Sequence, residues 1–119
     1  MEIKPRKTGP FSCKERIKKS SDIQRLFKKG KRVHTAGAKL FFLFTGADAN
    51  RIAFALPRGF GNAVQRNRSK RLSREAYRLL RANMRAGYDM VLLVYPGSDS
   101  FEKRCAEMRD LCGKAGLFV

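Results

Sequence analysis

Apolar residues recur along the chain at two spacings, one typical of helices and one typical of strands. Ile23, Leu26 and Phe27 lie at the i, i+3, i+4 spacing of a single helix face. A short helix is therefore predicted over residues 21–29, and Gly30 is expected to end it. The back of this helix is basic, with Arg25, Lys28 and Lys29.

Three apolar runs have the length and the flanking turn residues of β-strands. They span residues 39–45, 51–56 and 89–95, and residues 31–35 form a possible earlier strand. The sequence GADAN separates the first two runs and predicts a turn, so these runs are expected to form a hairpin or a meander.

Two further helical patterns occupy the second half of the chain. The longer one runs from Asn62 to Arg85, with a capping box formed by Asn62 and Gln65. Its predicted apolar face consists of Leu72, Ala76, Leu79 and Leu80. A last helix is predicted from Asp99 and Glu102 onward, with an apolar stripe of Phe101, Cys105, Met108 and Cys112.

The order of these elements indicates the fold class. A strand, a long helix and another strand predict a βαβ unit inside a mixed sheet, with helices covering one face of the sheet. A chain of 119 residues has the length of one domain. We expect a basic, flexible segment over residues 1–16 and a single α/β domain over residues 17–119.

The net charge of +17 is the most unusual property of the composition. Such a charge repels itself in the compact state, so a polyanionic partner is expected, with nucleic acid as the first candidate. An anionic membrane and an acidic protein are the alternatives. No apolar run approaches the roughly 18 residues of a membrane span, and the N-terminus does not resemble a secretory signal.

The cations of the longer helix follow one of its faces. This predicted row consists of Arg66, Lys70, Arg74, Arg78, Arg81 and Arg85, with Arg71 beside it. From Arg66 to Arg78, successive members lie about 6 Å apart along the helix axis, which is close to the phosphate spacing of a nucleic-acid strand. Glu75 is the only acid between residues 49 and 88, so neighbouring like charges destabilise the helix unless a polyanion neutralises them.

Side chains for catalysis are scarce in the sequence. His34 is the only histidine, the acidic residues are not paired, and the three cysteines contain no CxxC motif. We therefore predict no catalytic residue and no metal site in the polypeptide itself.

Aromatic residues on the first strong strand suggest a second type of contact. Alternation turns Phe42 and Phe44 to one face of the sheet and Phe41 to the other. One face must pack on the helices, and the other is a candidate platform on which unpaired bases stack. Core packing is the first expectation for each phenylalanine, because a small domain uses most of its aromatic residues for burial. Phe42 and Phe44 are the candidates for the platform.

Residues 61–75, GNAVQRNRSKRLSRE, carry a specific resemblance. Their ungapped spacing closely resembles the signature of the protein subunit of bacterial ribonuclease P, and the wider layout is similar over residues 17–115. The resemblance implies an α/β (α+β) two-layer sandwich of a mixed, mostly four-stranded sheet with three helices. It also implies a left-handed βαβ crossover, as in the ribosomal-protein-like fold.

The resemblance also implies a function. Proteins of this family join a catalytic RNA that holds Mg²⁺ and removes the 5′ leader of precursor tRNA by endonucleolytic cleavage. The protein is then an accessory subunit, cytoplasmic, with one copy per RNA, and its partners are ribonuclease P RNA and precursor tRNA. No cofactor is expected on the protein and no membrane is involved.

Two sets of residues match the functional positions of the family. The set implied to bind the RNA subunit consists of Arg66, Asn67, Arg68, Lys70, Arg71 and Arg74. The set implied or predicted to line a cleft for the leader consists of Phe27, Ile23, Arg58, Phe42, Phe44, Arg66, Lys70 and Arg74. Ile23 stands where the family usually has a second aromatic residue, so apolar contact is expected there in place of stacking. Gly59 stands where the family commonly has a lysine, so leader contact at that edge is expected either to be weaker or to move to Lys14 or Arg16.

Two other functions use the same composition. A ribosomal or general structural RNA-binding protein is the main alternative, because both bind through phosphate contacts. A DNA-binding module is the third possibility, but the basic helix lacks the partner helix and turn of a helix-turn-helix motif.

Overall fold

A computed structural model of the chain describes residues 13–97 and 100–119. Its helices and strands are, in chain order, α1 (Ser20–Lys29), β1 (Lys31–His34), β2 (Ala38–Phe44), β3 (Arg51–Ala55), α2 (Ala63–Leu80), β4 (Tyr88–Val94) and α3 (Phe101–Ala115). Single turns of 3₁₀-helix occur at Cys13–Glu15 and Arg81–Asn83. Residues 1–12 of the segment predicted to be flexible, residues 1–16, lie outside the described residues, as does the predicted role of Asp99 at the start of α3. The remaining residues of that segment form the 3₁₀ turn and a bridge from Arg16 to Ile52.

The four strands form one mixed sheet in the order β1-β2-β4-β3. β2 pairs with β1 and β4 in antiparallel fashion, whereas β3 runs parallel to β4. The predicted βαβ unit is confirmed, since α2 connects these two parallel strands. The predicted α/β class, with three helices and a four-stranded mixed sheet, is confirmed as well.

Helices cover both faces of the sheet, so the prediction that they cover only one is wrong. Phe42 and Met90 face the main core, to which α2 and α3 contribute, whereas Phe41 and Val91 face a smaller core beneath α1. β2 and β4 are apolar on both faces, and each face must be buried against another element. As a result, α1 and α2 lie on opposite sides of the sheet.

The capping box at the start of α2 is confirmed. The Asn62 side chain accepts a hydrogen bond from the Gln65 backbone N–H at 2.9 Å, and the Gln65 side chain accepts one from the Asn62 N–H at 3.0 Å. α2 ends at Leu80, five residues earlier than predicted. The chain then makes a 3₁₀ turn and forms a bridge between Met84 and Phe118, which draws it away from the helix axis.

The buried face of α2 is rotated from the predicted one, and it contains two serines. Ser69, Ser73 and Tyr77 are buried, while Leu79 is exposed. Arg104 of α3 explains the serines, because its guanidinium donates hydrogen bonds to the Ser69 carbonyl at 2.8 Å and to the Ser73 hydroxyl at 2.6 Å. Small side chains on α2 leave room for this buried arginine, which binds the two helices together.

We predict that Arg104→Ala destabilises the fold by about 2–4 kcal/mol, because it removes buried packing together with the two hydrogen bonds. Arg109→Ala is the matched control, since it makes the same chemical change at an exposed position of the same helix. It should change the free energy of unfolding by no more than about 0.5 kcal/mol. Urea denaturation measures both values, and equal midpoints for the two variants would contradict the role given to Arg104.

Candidate nucleic-acid interface

A groove runs along the open edge of β3, between α1 on one side of the sheet and α2 on the other. Apolar side chains line its floor, among them Ile17, Ile23 and Phe54. Cations line its rim, namely Arg16, Lys70 and Arg74. Of the residues predicted from the sequence for the cleft, Ile23, Lys70 and Arg74 are therefore brought together in space.

The wall formed by α2 is positively charged and lacks compensating acids. Arg66, Lys70 and Arg74 follow one another at four-residue intervals, about 6 Å apart along the axis. The Arg66 guanidinium donates to the Pro57 carbonyl at 3.3 Å, which ties the loop after β3 to the helix. Among the residues that the structure describes, no carboxylate forms an ion pair with any of these three cations.

The predicted cationic row is shorter in the structure than in the sequence. Arg81 is only 4% exposed, and its guanidinium donates to both carboxylate oxygens of Glu15, at 2.7 and 2.6 Å. Arg85 lies beyond the end of α2 and donates to the Phe118 carbonyl. Including these two arginines in the row was therefore wrong, because the helix ends before them and a distant carboxylate neutralises one of them.

Arg78 occupies an intermediate position at the end of the row. Its guanidinium lies 3.0 Å from the Glu75 carboxylate, one helical turn away on the exposed surface. An exposed pair of this kind contributes little to stability and exchanges readily with other anions. The cations free of carboxylates on the groove side of α2 are thus concentrated in its first three turns.

Arg68 is the cation of α2 that lies away from the groove. Asn67, Arg68 and Arg71 are exposed. Arg68 lies on the far flank of the helix, beside Phe60 and the Pro96-Gly97 turn that follows β4. α2 therefore presents basic side chains in two directions, one toward the groove and one toward the opposite side.

Phe27 and Phe41 supply the aromatic component on the α1 side of the sheet. The Phe27 side chain is 39% exposed, and its ring meets that of Phe41 edge to face, with the centroids 4.8 Å apart. The ammonium group of Lys39 lies 6.0 Å from the centroid of the Phe41 ring. Phe27 is thus held in place from behind while part of its ring stays accessible.

Phe42 is buried, so it cannot belong to the predicted aromatic platform, and the alternative of core packing holds for it. Phe42 is buried in the core on the side of α2 and α3. Phe44 projects to that same side by strand alternation, where it packs on Tyr88 with the ring centroids 5.3 Å apart. Sequence alternation correctly separated Phe41 from these two residues, but it contained no signal for which face α1 covers.

Arg58 and Gly59 lie in the loop that joins β3 to α2. Arg58 is exposed there, as its predicted role requires. Gly59 has a φ of 82°, in the left-handed region that favours glycine over residues with a side chain. The local backbone therefore explains why glycine, and not a long basic residue, is found at this position.

The described residues offer little for catalysis by side chains. Burial raises the pKa of the Cys112 thiol to about 12 and also raises the pKa of Cys105, so neither thiol ionises readily near neutral pH.

No group of three or more His, Cys, Asp or Glu side chains in residues 13–97 and 100–119 is arranged to hold a metal ion. No helix in the same ranges is long and apolar enough to cross a membrane.

Comparisons with known proteins agree on one family. The family model described as Ribonuclease P matches residues 11–116. The ribonuclease P protein component of Natranaerobius thermophilus is 40% identical over 86 residues, covering 72% of this chain and 75% of the relative. That of Dictyoglomus turgidum is 35% identical over 111 residues, covering 90% of this chain and 93% of the relative.

Solved structures show the same fold. The RNase P protein from Thermotoga maritima has a TM-score of 0.73 at 25% identity, covering 81% of this chain and 93% of its own. A mutant of the Staphylococcus aureus RNase P protein, described as defective in mRNA degradation activity, has a TM-score of 0.81 at 24% identity. That match covers 88% of this chain and 91% of the other, and it bears on the fold alone. With the family model spanning most of the chain and relatives of this similarity, the chain belongs to the family of ribonuclease P protein components.

Proposed function

We propose that this chain binds both the catalytic RNA subunit of ribonuclease P and the 5′ leader of precursor tRNA, and so assists removal of the leader. Membership of the family already implies a part in the endoribonuclease complex and in tRNA processing. The observation that carries the finer proposal is the groove at the β3 edge. It combines apolar side chains with cations that pair with no described carboxylate, and Phe27 of α1 keeps part of its ring accessible.

The groove has the chemistry that a single RNA strand requires. Lys70, Arg74 and Arg16 line the groove, and in this proposal they contact phosphates of the bound strand. Phe27 offers a ring face to a base, and base–aromatic stacking of this kind is tolerant of sequence. A leader of variable sequence is such a ligand, since every base has a face to stack and every nucleotide has a phosphate.

The far flank of α2 is the proposed contact for the RNA subunit. Asn67, Arg68 and Arg71 are exposed, and Arg68 lies on the side of the helix that faces away from the groove. The two RNAs would then bind on different sides of one helix. A net charge of +17 between them lowers their mutual repulsion, so less Mg²⁺ is needed to bring them together.

In this proposal, the RNA subunit binds the Mg²⁺ ions and supplies the chemistry of cleavage. The protein supplies binding energy and position, as one copy per RNA in the cytoplasm. A ribosomal or general structural RNA-binding role uses the same cations, and the species of RNA that co-purifies with the chain separates the two. A single RNA of about 400 nucleotides supports the proposal, whereas ribosomal RNA supports the alternative, because both bind by phosphate contacts.

The proposal predicts faster cleavage of precursor tRNA at low Mg²⁺ when the protein is added to a bacterial ribonuclease P RNA. The physical reason is that the cations of the protein replace part of the screening that Mg²⁺ otherwise provides. Single-turnover cleavage at a series of Mg²⁺ concentrations, with and without protein, measures the effect. Equal rates at every concentration for a leader-bearing substrate would refute the proposal.

Phe27→Ala should weaken the binding of leader-bearing precursor tRNA by about 1–3 kcal/mol, the value of one base–aromatic stack. Mature tRNA, which has no leader, should bind with unchanged affinity. Phe44→Ala is the matched control, because Phe44 is also exposed but lies on the other face of the sheet. An equal loss for both variants, or a loss of folding for Phe27→Ala without a separate binding defect, would show that Phe27 is structural.

Arg68→Ala and Arg74→Ala should have separable effects, because the two arginines lie on different flanks of α2. Arg68→Ala should weaken assembly with the RNA subunit by about 1–3 kcal/mol, with or without substrate. Arg74→Ala should mainly weaken binding of leader-bearing substrate to the assembled holoenzyme. Filter binding of each RNA measures both affinities, and identical profiles for the two variants would contradict the division of α2 into two faces.

A further inference from the structure

The turn that precedes α1 forms a second concentration of positive charge. Lys14, Arg16, Lys18 and Lys19 are all exposed, and together they line a concave patch with Arg51 and Asp22. Lys14 and Arg16 are the substitute leader contacts expected from the sequence, and Arg16 belongs to the proposed groove, whereas Lys18 and Lys19 have no role in the function proposed above. Arg16 also lines the groove at the β3 edge, so the patch and the groove are continuous.

The four cations of this turn can bind an external anion, whereas Arg51 is already paired with carboxylates. The Arg51 guanidinium lies 2.7 Å from the Asp89 carboxylate and 3.7 Å from that of Asp22. The hydrogen bonds that Arg51 donates to Asp89 are the main cause that raises the pKa of Arg51. Its charge is therefore neutralised by two carboxylates. In the part of the chain that the structure describes, no acid forms an ion pair with any of the other four cations.

The turn is fixed to the body of the protein by three contacts. Glu15 accepts the two short hydrogen bonds from the buried Arg81. The backbone N–H of Ile17 donates to the Ile52 carbonyl at 3.2 Å, which makes Arg16 a parallel bridge partner on the edge of β3. The Ile17 side chain is buried beneath α1. These contacts hold the turn, with its four cations, against the edge of β3 beside the groove.

Glu15 carries a negative charge, whereas the charged residues next to it in the sequence are positive. It is the only acid between residues 3 and 21, a segment that carries seven cations before α1. Its carboxylate faces inward to Arg81, while the side chains on both sides of it in the sequence, Lys14 and Arg16, are exposed. The carboxylate of Glu15 thus holds in place a turn whose other charged side chains are exposed cations.

We propose that Lys14, Arg16, Lys18 and Lys19 form a second phosphate-binding surface, which binds the backbone of leader nucleotides that extend beyond the groove. Glu15 is its positioning residue, acting through Arg81. This inference rests on the proposed function, because it assigns more of the same RNA strand to the protein. The ligand class is a single-stranded phosphodiester backbone, and no base contact is involved.

The direct experiment uses the reconstituted holoenzyme and precursor tRNAs with a short and a long leader. Lys14→Ala/Lys18→Ala should weaken binding of the long-leader substrate about tenfold, while binding of the short-leader substrate stays unchanged. The slope of log affinity against log salt for the long leader should become shallower by about 1.4, since each lost contact to a single strand contributes about 0.7. The matched control is Lys103→Ala/Arg109→Ala on α3, which removes the same charge at a distance from the patch.

Three outcomes would overturn this inference. The double variant could match the control, or it could lose affinity equally for both leaders, which would assign the turn to the RNA subunit. The salt slope could also remain that of the wild-type chain. Failure of the proposed function looks different, because the wild-type protein itself would then show no dependence on the leader.

A second pair of variants tests the positioning role of Glu15. Glu15→Gln and Glu75→Gln each remove one negative charge, so bulk electrostatics predicts tighter RNA binding for both. Positioning predicts that Glu15→Gln weakens binding of the long leader several-fold and reduces the salt slope, while Glu75→Gln does neither. Tighter binding of the long leader by both variants would contradict the positioning role of Glu15.

Glu15→Gln leaves Arg81 buried without its partner, and that variant can fail to fold. Glu15→Gln/Arg81→Gln avoids the buried charge and keeps the experiment informative. We expect this double variant to fold and to show the same weaker binding and shallower slope. Binding of the long leader with the wild-type slope would contradict the inference.

Discussion

Repulsion between like charges on α2 is the physical constraint on which the rest of the structure depends. Arg66, Lys70 and Arg74 follow one another along one flank, and no described carboxylate pairs with them. Like charges four residues apart destabilise a helix by a few tenths of a kcal/mol per pair. The fold accepts this cost in the free chain, and a polyanion bound along the row would remove it.

The helix tolerates its charge because other contacts stabilise it. The reciprocal hydrogen bonds of Asn62 and Gln65 satisfy backbone donors at its start. Burial of Tyr77 and the bridge from Arg104 bind its inner face to the sheet and to α3. The outer flank therefore does not have to pack against the rest of the protein, and its side chains can contact a ligand.

The groove exists because the sheet is apolar on both of its faces. β2 and β4 need cover on each side, so α1 packs on one face and α2 and α3 on the other. The edge of β3 is left between α1 and α2, and this placement brings Ile23 of α1 into one groove with Lys70 and Arg74 of α2. The combination of apolar and cationic side chains in the groove is thus a direct result of how the strands are covered.

The sequence predicted local features well and distant pairings poorly. The capping box of Asn62, the four strands and the βαβ unit follow from spacing within short windows. The burial of Arg81 depends on Glu15, which is 66 residues away in the chain, and no periodicity indicates such a pair. The sequence also could not predict which face of the sheet α1 covers, because Phe41 and Phe42 are adjacent on one strand and both are apolar. The contact between Phe27 and Phe41 was therefore not predicted.

The salt dependence of binding tests the central claim most directly. The affinity of the purified chain for ribonuclease P RNA and for precursor tRNA should be measured across a range of monovalent salt concentrations. Binding through the cations of α2 predicts that log affinity falls steeply and linearly with log salt, by roughly 0.7 to 0.9 per phosphate contacted. A nearly flat dependence of affinity on salt, or no binding even in dilute buffer, would contradict the claim that this row of cations binds RNA.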